Sequence, residues 1–152
     1  MEKLQQKENH YSFGCIKKLY LYILAEAHCH HLFLQFRVKK ELVGNFLIDQ
    51  NFVSGIGNIY ASEILFLCKI SPFKEVNSLS LNDCQKISHF SKVVLRKAIE
   101  KGGSSIRDFK NTSGDQGSFQ KNFNVYQREN KKCLKYSCKG TIHKKFISNR
   151  SS

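Results

Sequence analysis

The sequence has no tryptophan, one proline (Pro72) and no continuous apolar run near the about 20 residues that a membrane-spanning helix needs. Its first residues, 1–7, also lack the apolar region and the small-residue cleavage site that mark a secretory signal peptide. These absences count against an integral membrane protein and against a secreted one. We therefore expect a cytoplasmic protein that does not insert into a membrane.

Acidic residues are also scarce: 12 Asp and Glu face 25 Lys and Arg, which leaves a formal net charge of +13. Such an excess of positive charge attracts polyanions, with nucleic acid as the first candidate and an anionic membrane surface as the second. Charge alone does not choose between them. A generic basic protein that binds nucleic acid therefore stays open as an interpretation.

The six cysteines are mostly scattered among helical patterns, which is typical of reduced thiols and not of a disulfide framework. Hydrophobic residues make up 41% of the chain and include 12 Phe and 6 Tyr, so a compact core can form. The length suits one domain, or one domain with a small appendage.

Apolar residues recur at helical spacing in three segments, which lie at residues 16–27, 39–49 and 58–68. Pro72 is expected to end the last of them, because proline cannot continue a helix. Ser80 and Asp83 then form an N-terminal capping pattern for a long helix that Gly102 and Gly103 close. The buried stripe of this helix is expected to comprise Cys84, Ile87, Phe90, Val94 and Ala98.

The composition changes after this helix. Residues 104–120 are rich in Ser, Gly, Asp and Asn, which predicts an ordered loop. A short strand-like stretch is expected to begin with Phe123, Val125 and Tyr126.

The most informative pattern for function lies in residues 49–60. Gly55 and Gly57 allow a tight turn and a close approach of the backbone to a ligand, and Asn58 stands directly before the apolar run of the next helix. A helix that starts behind a glycine turn presents unpaired N–H groups at its positive end, which suits a phosphate. The same pattern also fits a plain tight turn with Asn58 as the helix N-cap.

Cys133 and Cys138, followed by Gly140, resemble one half of a zinc site. Two thiolates on a tight turn can occupy two corners of a tetrahedral Zn²⁺ site, but a structural site needs four ligands. His143 is a candidate third ligand, and no fourth is apparent. The histidines at positions 28, 30 and 31 are not favoured, since adjacent residues of a helix point in different directions.

The order of motifs resembles the formamidopyrimidine-DNA glycosylases, bacterial base-excision enzymes related to endonuclease VIII. The resemblance starts at about residue 32 and is carried by several separate segments in the same order as in the family. They are Asp49-Gln50, residues 53–63, residues 102–109, residues 117–119, residues 125–128, the cysteine pair and residues 149–152.

The resemblance implies a mainly α fold. It consists of a helix–two-turn–helix DNA-binding domain over residues 32–128, with a lesion-recognition loop at 104–120, and a C-terminal short β-hairpin, a truncated zinc finger, over residues 129–152. Residues 1–31 match poorly and are expected to be helical. The implied partner is double-stranded DNA, especially at damaged or abasic sites, and the implied cofactor is Zn²⁺. The residues implied to bind DNA are Gly55, Gly57, Asn58, Tyr60, Arg107 and Arg150, and those implied to bind metal are Cys133 and Cys138.

Two features of the family are not found in these 152 residues. The family's nucleophile is an amino-terminal proline on a separate β-sandwich domain, whereas Met1 is followed by Glu2 here; the second cysteine pair of the zinc finger is also missing. We therefore expect a DNA-binding C-terminal part of a glycosylase and AP lyase with no catalytic residue and no activity of its own. The alternative is a split enzyme that acts with a separate catalytic N-terminal half, for which residues 13–36 would provide an apolar docking patch.

Overall fold

The computed structural model describes residues 37, 39–50, 56–104 and 118–147, and the backbone of residues 150 and 151. Within them, the chain forms three α-helices, two 3₁₀ turns and one pair of very short strands. These are α1 (Val43–Ile48), α2 (Asn58–Cys68), a 3₁₀ turn (Val76–Ser78), α3 (Leu81–Glu100), a second 3₁₀ turn (Phe119–Asn122), β1 (Phe146–Ile147) and β2 (Arg150–Ser151). The predictions for residues 1–31, including the helix at 16–27 and the histidine group, lie outside the described residues, as does the whole of the 13–36 patch.

Helix α1 is shorter than the helix predicted over residues 39–49. Leu42 is extended and pairs with Glu75 in an isolated antiparallel bridge. The N–H groups of Val43 and Gly44 donate to the carbonyls of Lys74 and Pro72, at 2.9 and 3.0 Å. The backbone before Val43 is thus paired with a distant segment, and the helix begins only after that pairing.

Helix α2 occupies the predicted residues, but the proline does not end it. The helix ends at Cys68, and Lys69 adopts the left-handed conformation (φ 59°) as its C-cap. The N–H of Ile70 then donates to the carbonyl of Leu65 at 3.1 Å, which closes the end of the helix. Pro72 lies beyond this cap, in the segment that pairs with α1.

Helix α3 confirms its predicted start and end. Ser80 accepts a hydrogen bond from the Asp83 N–H, and the Asp83 carboxylate accepts one from the Ser80 N–H, each at 3.1 Å. Gly102 and Gly103 follow the helix with φ angles of 69° and 84°, a conformation that favours glycine. Four residues of the expected stripe are buried, and Phe90 packs partly buried against the core.

The core forms where α2 packs against both α1 and α3. Its largest fully buried apolar side chains are Phe46, Ile56, Ile64, Leu95, Val43 and Val76. The described residues are therefore mainly helical, as expected. No helix among them is long and apolar enough to cross a membrane.

The strand predicted to begin at Phe123 is wrong, because these residues form a turn instead. The N–H groups of Asn124, Val125 and Tyr126 all donate to the carboxylate of Glu63, at 2.9 to 3.0 Å. Backbone donors that are held by one carboxylate are not available to a β-ladder.

The predicted C-terminal hairpin is present only as short pieces. Lys132 and Thr141 form an isolated antiparallel bridge around the cysteine loop, and Asn130 and Lys131 exchange backbone hydrogen bonds with Ile142. Further along, β1 pairs with β2 in antiparallel register over two residues each.

Candidate nucleic-acid interface

Helix α2 opens with a glycine at its N-terminal end. Gly57 is the N-cap, with extended backbone (φ −96°, ψ 179°), and its carbonyl accepts the first helical hydrogen bond from Ala61 at 3.0 Å. Glycine has no side chain that could accept a hydrogen bond from the first turn, and that turn contains no acidic residue. The positive end of α2 is thus left without a carboxylate from its own first turn, which suits an external anion.

Helix α2 starts at Asn58, as predicted, and the alternative interpretation, in which Asn58 is the N-cap, is wrong. Gly57 takes that position, and Asn58 is the first helical residue, half-buried. The backbone of Gly57 is one that any residue can adopt, and an added Cβ atom would meet nothing within 4 Å. Neither backbone conformation nor packing among the described residues therefore requires a glycine here, which leaves access for a ligand as a physical reason for it.

Gln50 connects this helix start to the end of α1, a role that sequence reasoning did not assign to it. Its Nε2 donates to the carbonyl of Ile48 at 3.3 Å and to that of Ile56 at 3.1 Å. Ile56 is buried and stands directly before Gly57. Gly55, the other predicted glycine of the turn, lies outside the described residues.

Tyr60 lies in the first turn of α2 and is half-buried, with its side chain packed against the core. Its ring centroid is 5.7 Å from that of Phe119, the first residue of the second 3₁₀ turn. Phe119 in turn stacks edge-on against Phe123 at 5.7 Å, and Phe123 against Tyr126 at 5.5 Å. The predicted DNA-binding tyrosine thus joins α2 to the end of the 104–120 loop and, through Phe119 and Phe123, to the segment that follows it.

Glu63 fixes that segment from the opposite direction. It is a buried acidic residue, 1% exposed, in the middle of α2. Besides the three backbone N–H groups, its Oε2 accepts a hydrogen bond from Asn124 Nδ2 at 2.8 Å. A carboxylate needs such donors to be buried at low cost. The sequence signal that could have revealed this role is a single acidic residue inside the apolar run from Ile59 to Cys68.

A lysine of the cysteine loop anchors that loop to the other end of α2. Lys135 Nζ donates to the Phe66 carbonyl at 2.9 Å and lies 4.2 Å from the centroid of the Phe66 ring. A cation at the carbonyl end of a helix interacts favourably with the helix dipole, and its position over the ring adds a cation–π contact. Both ends of α2 are thus tied to the C-terminal region.

Cys133 and Cys138 lie side by side in this loop. The Cys133 N–H donates to the Gly140 carbonyl at 2.9 Å, and the Cys133 sulfur accepts a hydrogen bond from the Lys135 N–H at 3.5 Å. Hydrogen bonds from the Gly140 backbone and the Cys133 side chain lower the pKa of the exposed Cys138 thiol, and the charge of Lys135 adds to this. A lowered pKa favours the thiolate form of Cys138, which is the form that binds metal ions.

The pair is nevertheless only half of the implied zinc site. Zn²⁺ in a structural site takes four ligands, and no group of three or more Cys, His, Asp or Glu residues in the described part of the chain could hold a metal ion. His143, the candidate third ligand, does not join the pair in such a group. Residues 133 and 138 therefore fit the metal chemically, and the part of the chain that the structure describes does not complete its coordination.

The two remaining predicted DNA-binding residues are arginines. Arg107 lies outside the described residues. Arg150 is in β2, where its backbone pairs with that of Ile147. Their assignment to DNA stays a prediction.

Comparison with known protein families identifies the domain. The family model of the formamidopyrimidine-DNA glycosylase H2TH domain matches residues 23–110, more than half of the chain. The chain belongs to this glycosylase family. The resemblance found in the sequence motifs is thereby confirmed.

Similar proteins are about twice as long as this chain. A formamidopyrimidine-DNA glycosylase of Neisseria meningitidis is 39% identical over 130 residues, which cover 85% of this chain and 46% of the relative. One from Roseobacter denitrificans is 42% identical over 125 residues, or 82% of this chain and 44% of the relative. The chain therefore spans about half the length of the curated relatives it matches.

The fold is similar to solved structures of the same family. The MutM (Fpg) protein of Thermus thermophilus has a TM-score of 0.76 at 30% identity, over 86% of this chain and 49% of that protein. Lactococcus lactis Fpg in complex with DNA that contains an abasic site has a TM-score of 0.74 at 32% identity, over 82% and 45%. The helical part of the fold prediction is thus confirmed.

Proposed function

We propose that this chain binds double-stranded DNA through the open N-terminal end of α2, with a preference for damaged or abasic sites, as the DNA-binding part of a base-excision glycosylase. The observation that carries the proposal is the exposed N-cap Gly57, which leaves the positive end of α2 without a capping side chain of its own. A DNA phosphate satisfies such an end, and a net charge of +13 attracts the polyanion to it.

Similar proteins support DNA as the polyanion. Solved neighbours of this fold include Lactococcus lactis Fpg with abasic-site DNA, and MutM with DNA that contains carbocyclic 8-oxo-G. The anionic membrane surface, which the charge alone left open, has no comparable support. The assignment of Gly55, Gly57, Asn58, Tyr60, Arg107 and Arg150 to the DNA remains part of the proposal.

We further propose that the chain has no glycosylase or lyase activity by itself. A covalent mechanism through a Schiff base needs an amine of lowered pKa beside the sugar carbon. Pro72, the single proline, has its nitrogen inside a peptide bond, and its carbonyl accepts the N–H of Gly44. The proline nucleophile that the family resemblance implies is therefore not supplied by the described residues.

A second candidate is a split enzyme, in which a separate chain supplies the catalytic half. It is favoured by the observation that the curated relatives are about twice as long as this chain. This candidate predicts that activity appears only when the second chain is added. It shares the DNA-binding role of α2 with the first.

The test is binding of the purified chain to a short duplex with a central abasic-site analogue, compared with the undamaged duplex, together with borohydride trapping on a duplex with a natural abasic site. Tighter binding to the lesion without a trapped covalent product is expected. Equal binding to both duplexes, or none to either, would overturn damage-directed DNA binding. A trapped adduct would overturn the claim of inactivity and identify an amine that reacts.

A further inference from the structure

A cleft separates α2 from the segment that follows the cysteine loop. Its volume is about 830 Å³, within the range of sites that hold a ligand. One wall consists of α2 and residues 69–73, and the other contains residues 125–127 and 141–145. Gly57 and Asn58 are not among the lining residues, so the cleft is distinct from the helix start to which we assign DNA.

The least exposed lining residues, which form the floor of the cleft, are aliphatic. Ala61 and Leu65 of α2 and the following Ile70 are buried, and Val125 and Ile142 are half-buried. Such side chains hold other apolar side chains by removing them from water, and this attraction needs no directional contact. The floor therefore favours an occupant with at least one apolar side chain.

Several of the exposed lining residues are basic. Lys69, His143, Lys144 and Lys145 are exposed at the cleft, and Glu129 is the only carboxylate among its lining residues. In the part of the chain that the structure describes, no carboxylate pairs with any of these three lysines. Cations without a counter-charge attract an anionic partner. The rim of the cleft therefore selects for negative charge, while the floor selects for an apolar side chain.

The phenylalanine rings of the cleft favour a peptide over nucleic acid as the anion. Lys135 Nζ lies 4.2 Å from the centroid of the Phe66 ring, and Lys145 Nζ lies 5.7 Å from that of Phe73. Single-stranded nucleic acid binds mainly through bases that stack on open aromatic faces. Because each of these rings already has a lysine over it, the aliphatic floor is the main apolar contact, and it suits an amino-acid side chain better than a flat base.

We propose that this cleft binds an acidic segment of a partner protein, with an apolar side chain on the aliphatic floor and carboxylates against Lys69, Lys144 and Lys145. The apolar side chain supplies most of the affinity, since its burial is worth more than an exposed ion pair. The lysines speed the encounter and exclude basic and neutral segments. The partner and DNA occupy different residues, so both bind to one chain at the same time.

The experiment measures the fluorescence anisotropy of a labelled peptide, Glu-Asp-Leu-Asp-Ile-Glu-Asp, as the full chain is added. Saturable binding to one site is expected. One control peptide carries Gln and Asn in place of the acidic residues, and the other carries Ser in place of Leu and Ile. Each control is expected to bind at least about tenfold more weakly. No saturable binding of the first peptide, or equal binding of all three, would overturn the proposal.

Variants locate the bound peptide. The double variant Lys144→Glu, Lys145→Glu is expected to bind it about tenfold more weakly, because like charges then face its carboxylates. The matched control, Lys97→Glu with Lys121→Glu, changes the net charge equally at exposed lysines outside the cleft and is expected to alter affinity by less than about twofold. Thr141→Trp places a large ring in the cleft and is expected to abolish binding. Circular dichroism checks that each variant is folded. Equal affinities of the two double variants would contradict the assignment to the cleft.

Nucleic acid is tested as the competing occupant. A single-stranded oligonucleotide of the same net charge as the peptide is expected to bind more weakly and to be insensitive to Thr141→Trp. Tighter binding of the oligonucleotide, lost in that variant, would assign the cleft to nucleic acid and overturn the proposal. The abasic duplex at saturation is expected to leave the peptide bound. Complete displacement of the peptide would place both ligands in one site and would contradict a separate cleft.

Discussion

The carboxylate of Glu63 and the backbone of Asn124 form the closest polar link between α2 and the segment after the 104–120 loop. The Asn124 N–H lies 3.0 and 2.9 Å from the two carboxylate oxygens, and the Asn124 side-chain amide donates to Oε2 at 2.8 Å. Two further N–H groups, from Val125 and Tyr126, complete the set of donors. The same helix that opens at Gly57 thus holds the chain that leads to the cysteine loop.

Replacing this carboxylate with an amide is expected to destabilise the fold strongly. In Glu63→Gln, an NH₂ group would face N–H donors in a buried position, so that donors would be left unpaired. We expect a loss of about 3 kcal/mol in the free energy of unfolding, the range for breaking a buried charged group's hydrogen bonds. Urea unfolding would measure it.

The matched control is Glu100→Gln at the exposed end of α3, expected to change the free energy of unfolding by less than about 0.5 kcal/mol. A Glu63→Gln variant as stable as this control would show that the hydrogen bonds from residues 124–126 do not depend on the negative charge of Glu63.

Alanine substitutions at two glycines distinguish an effect on ligand access from an effect on core packing. Gly57→Ala meets open space and needs no unusual backbone, so its effect on unfolding is expected to stay within about 1 kcal/mol, while DNA binding weakens because the new methyl group stands at the helix start. Anisotropy titrations with the abasic duplex and thermal unfolding measure the two effects.

Gly44→Ala is the converse case. Its Cβ atom would lie 3.0 Å from Ile147 Cδ1 and 3.1 Å from the Pro72 carbonyl oxygen. We expect about 1–3 kcal/mol of lost stability from overpacking, with DNA affinity of the folded fraction unchanged.

If Gly57→Ala binds DNA as well as the parent chain, a ligand does not approach Gly57 closely.

Substitutions of Asn58 offer a test in which DNA affinity and helix stability are expected to change in opposite directions. Asn58→Ala is expected to weaken DNA binding by about 1 kcal/mol, the scale of one hydrogen bond to a phosphate. Asn58→Asp is expected to weaken it further, because a carboxylate repels the phosphate. The same carboxylate in the first turn of α2 would favour the helix by about 0.3–1 kcal/mol.

The salt dependence of binding measures how many phosphates are neutralised. With about three to five phosphate contacts, the slope of log affinity against log salt is expected to be roughly −3 to −4.5. A slope near zero, or Asn58 variants that bind as well as the parent, would remove the phosphate contact at α2.

Local sequence signals predicted a helix well where residues next to its ends mark its start and its end. The Ser80–Asp83 box and the paired glycines after α3 set both ends of that helix from adjacent residues. The start of α2 at Asn58 was also predicted, from the apolar run that follows the glycine turn, although Gly57 and not Asn58 occupies the N-cap position.

Contacts between distant residues account for the errors. The missing first turns of α1 reflect the pairing of Leu42 with Glu75, and the false strand at Phe123 reflects donors that reach a carboxylate 61 to 63 residues away. No periodicity within a short window carries either contact. For the same reason the supporting roles of Gln50 and Glu63 were not predicted. The start of α2 and the cysteine pair, which depend on adjacent residues, were predicted.

The capping box of α3 makes the stability of the fold depend on pH, and the pKa of Asp83 sets the direction of that dependence. Partial burial tends to raise the pKa of this carboxyl, but hydrogen bonds from Lys74 Nζ, at 2.9 Å, and from Ser80 outweigh it and hold the pKa below its usual value. A carboxyl with a lowered pKa in the folded state stabilises the fold above its unfolded pKa of about 3.9. That stabilisation is lost as the pH falls through the lower, folded-state value.

Asp83→Asn is therefore expected to cost about 1 kcal/mol in the free energy of unfolding at neutral pH, since it removes a capping interaction and a partly exposed ion pair. The difference from the parent should shrink as the pH falls below about 4, since the unfolded parent then binds a proton at Asp83, and it should reach its minimum below the lower pKa of the folded state. Urea unfolding of both proteins across this range measures the effect. A difference that stays constant with pH would mean that Asp83 acts through its hydrogen-bonding shape and not through its charge.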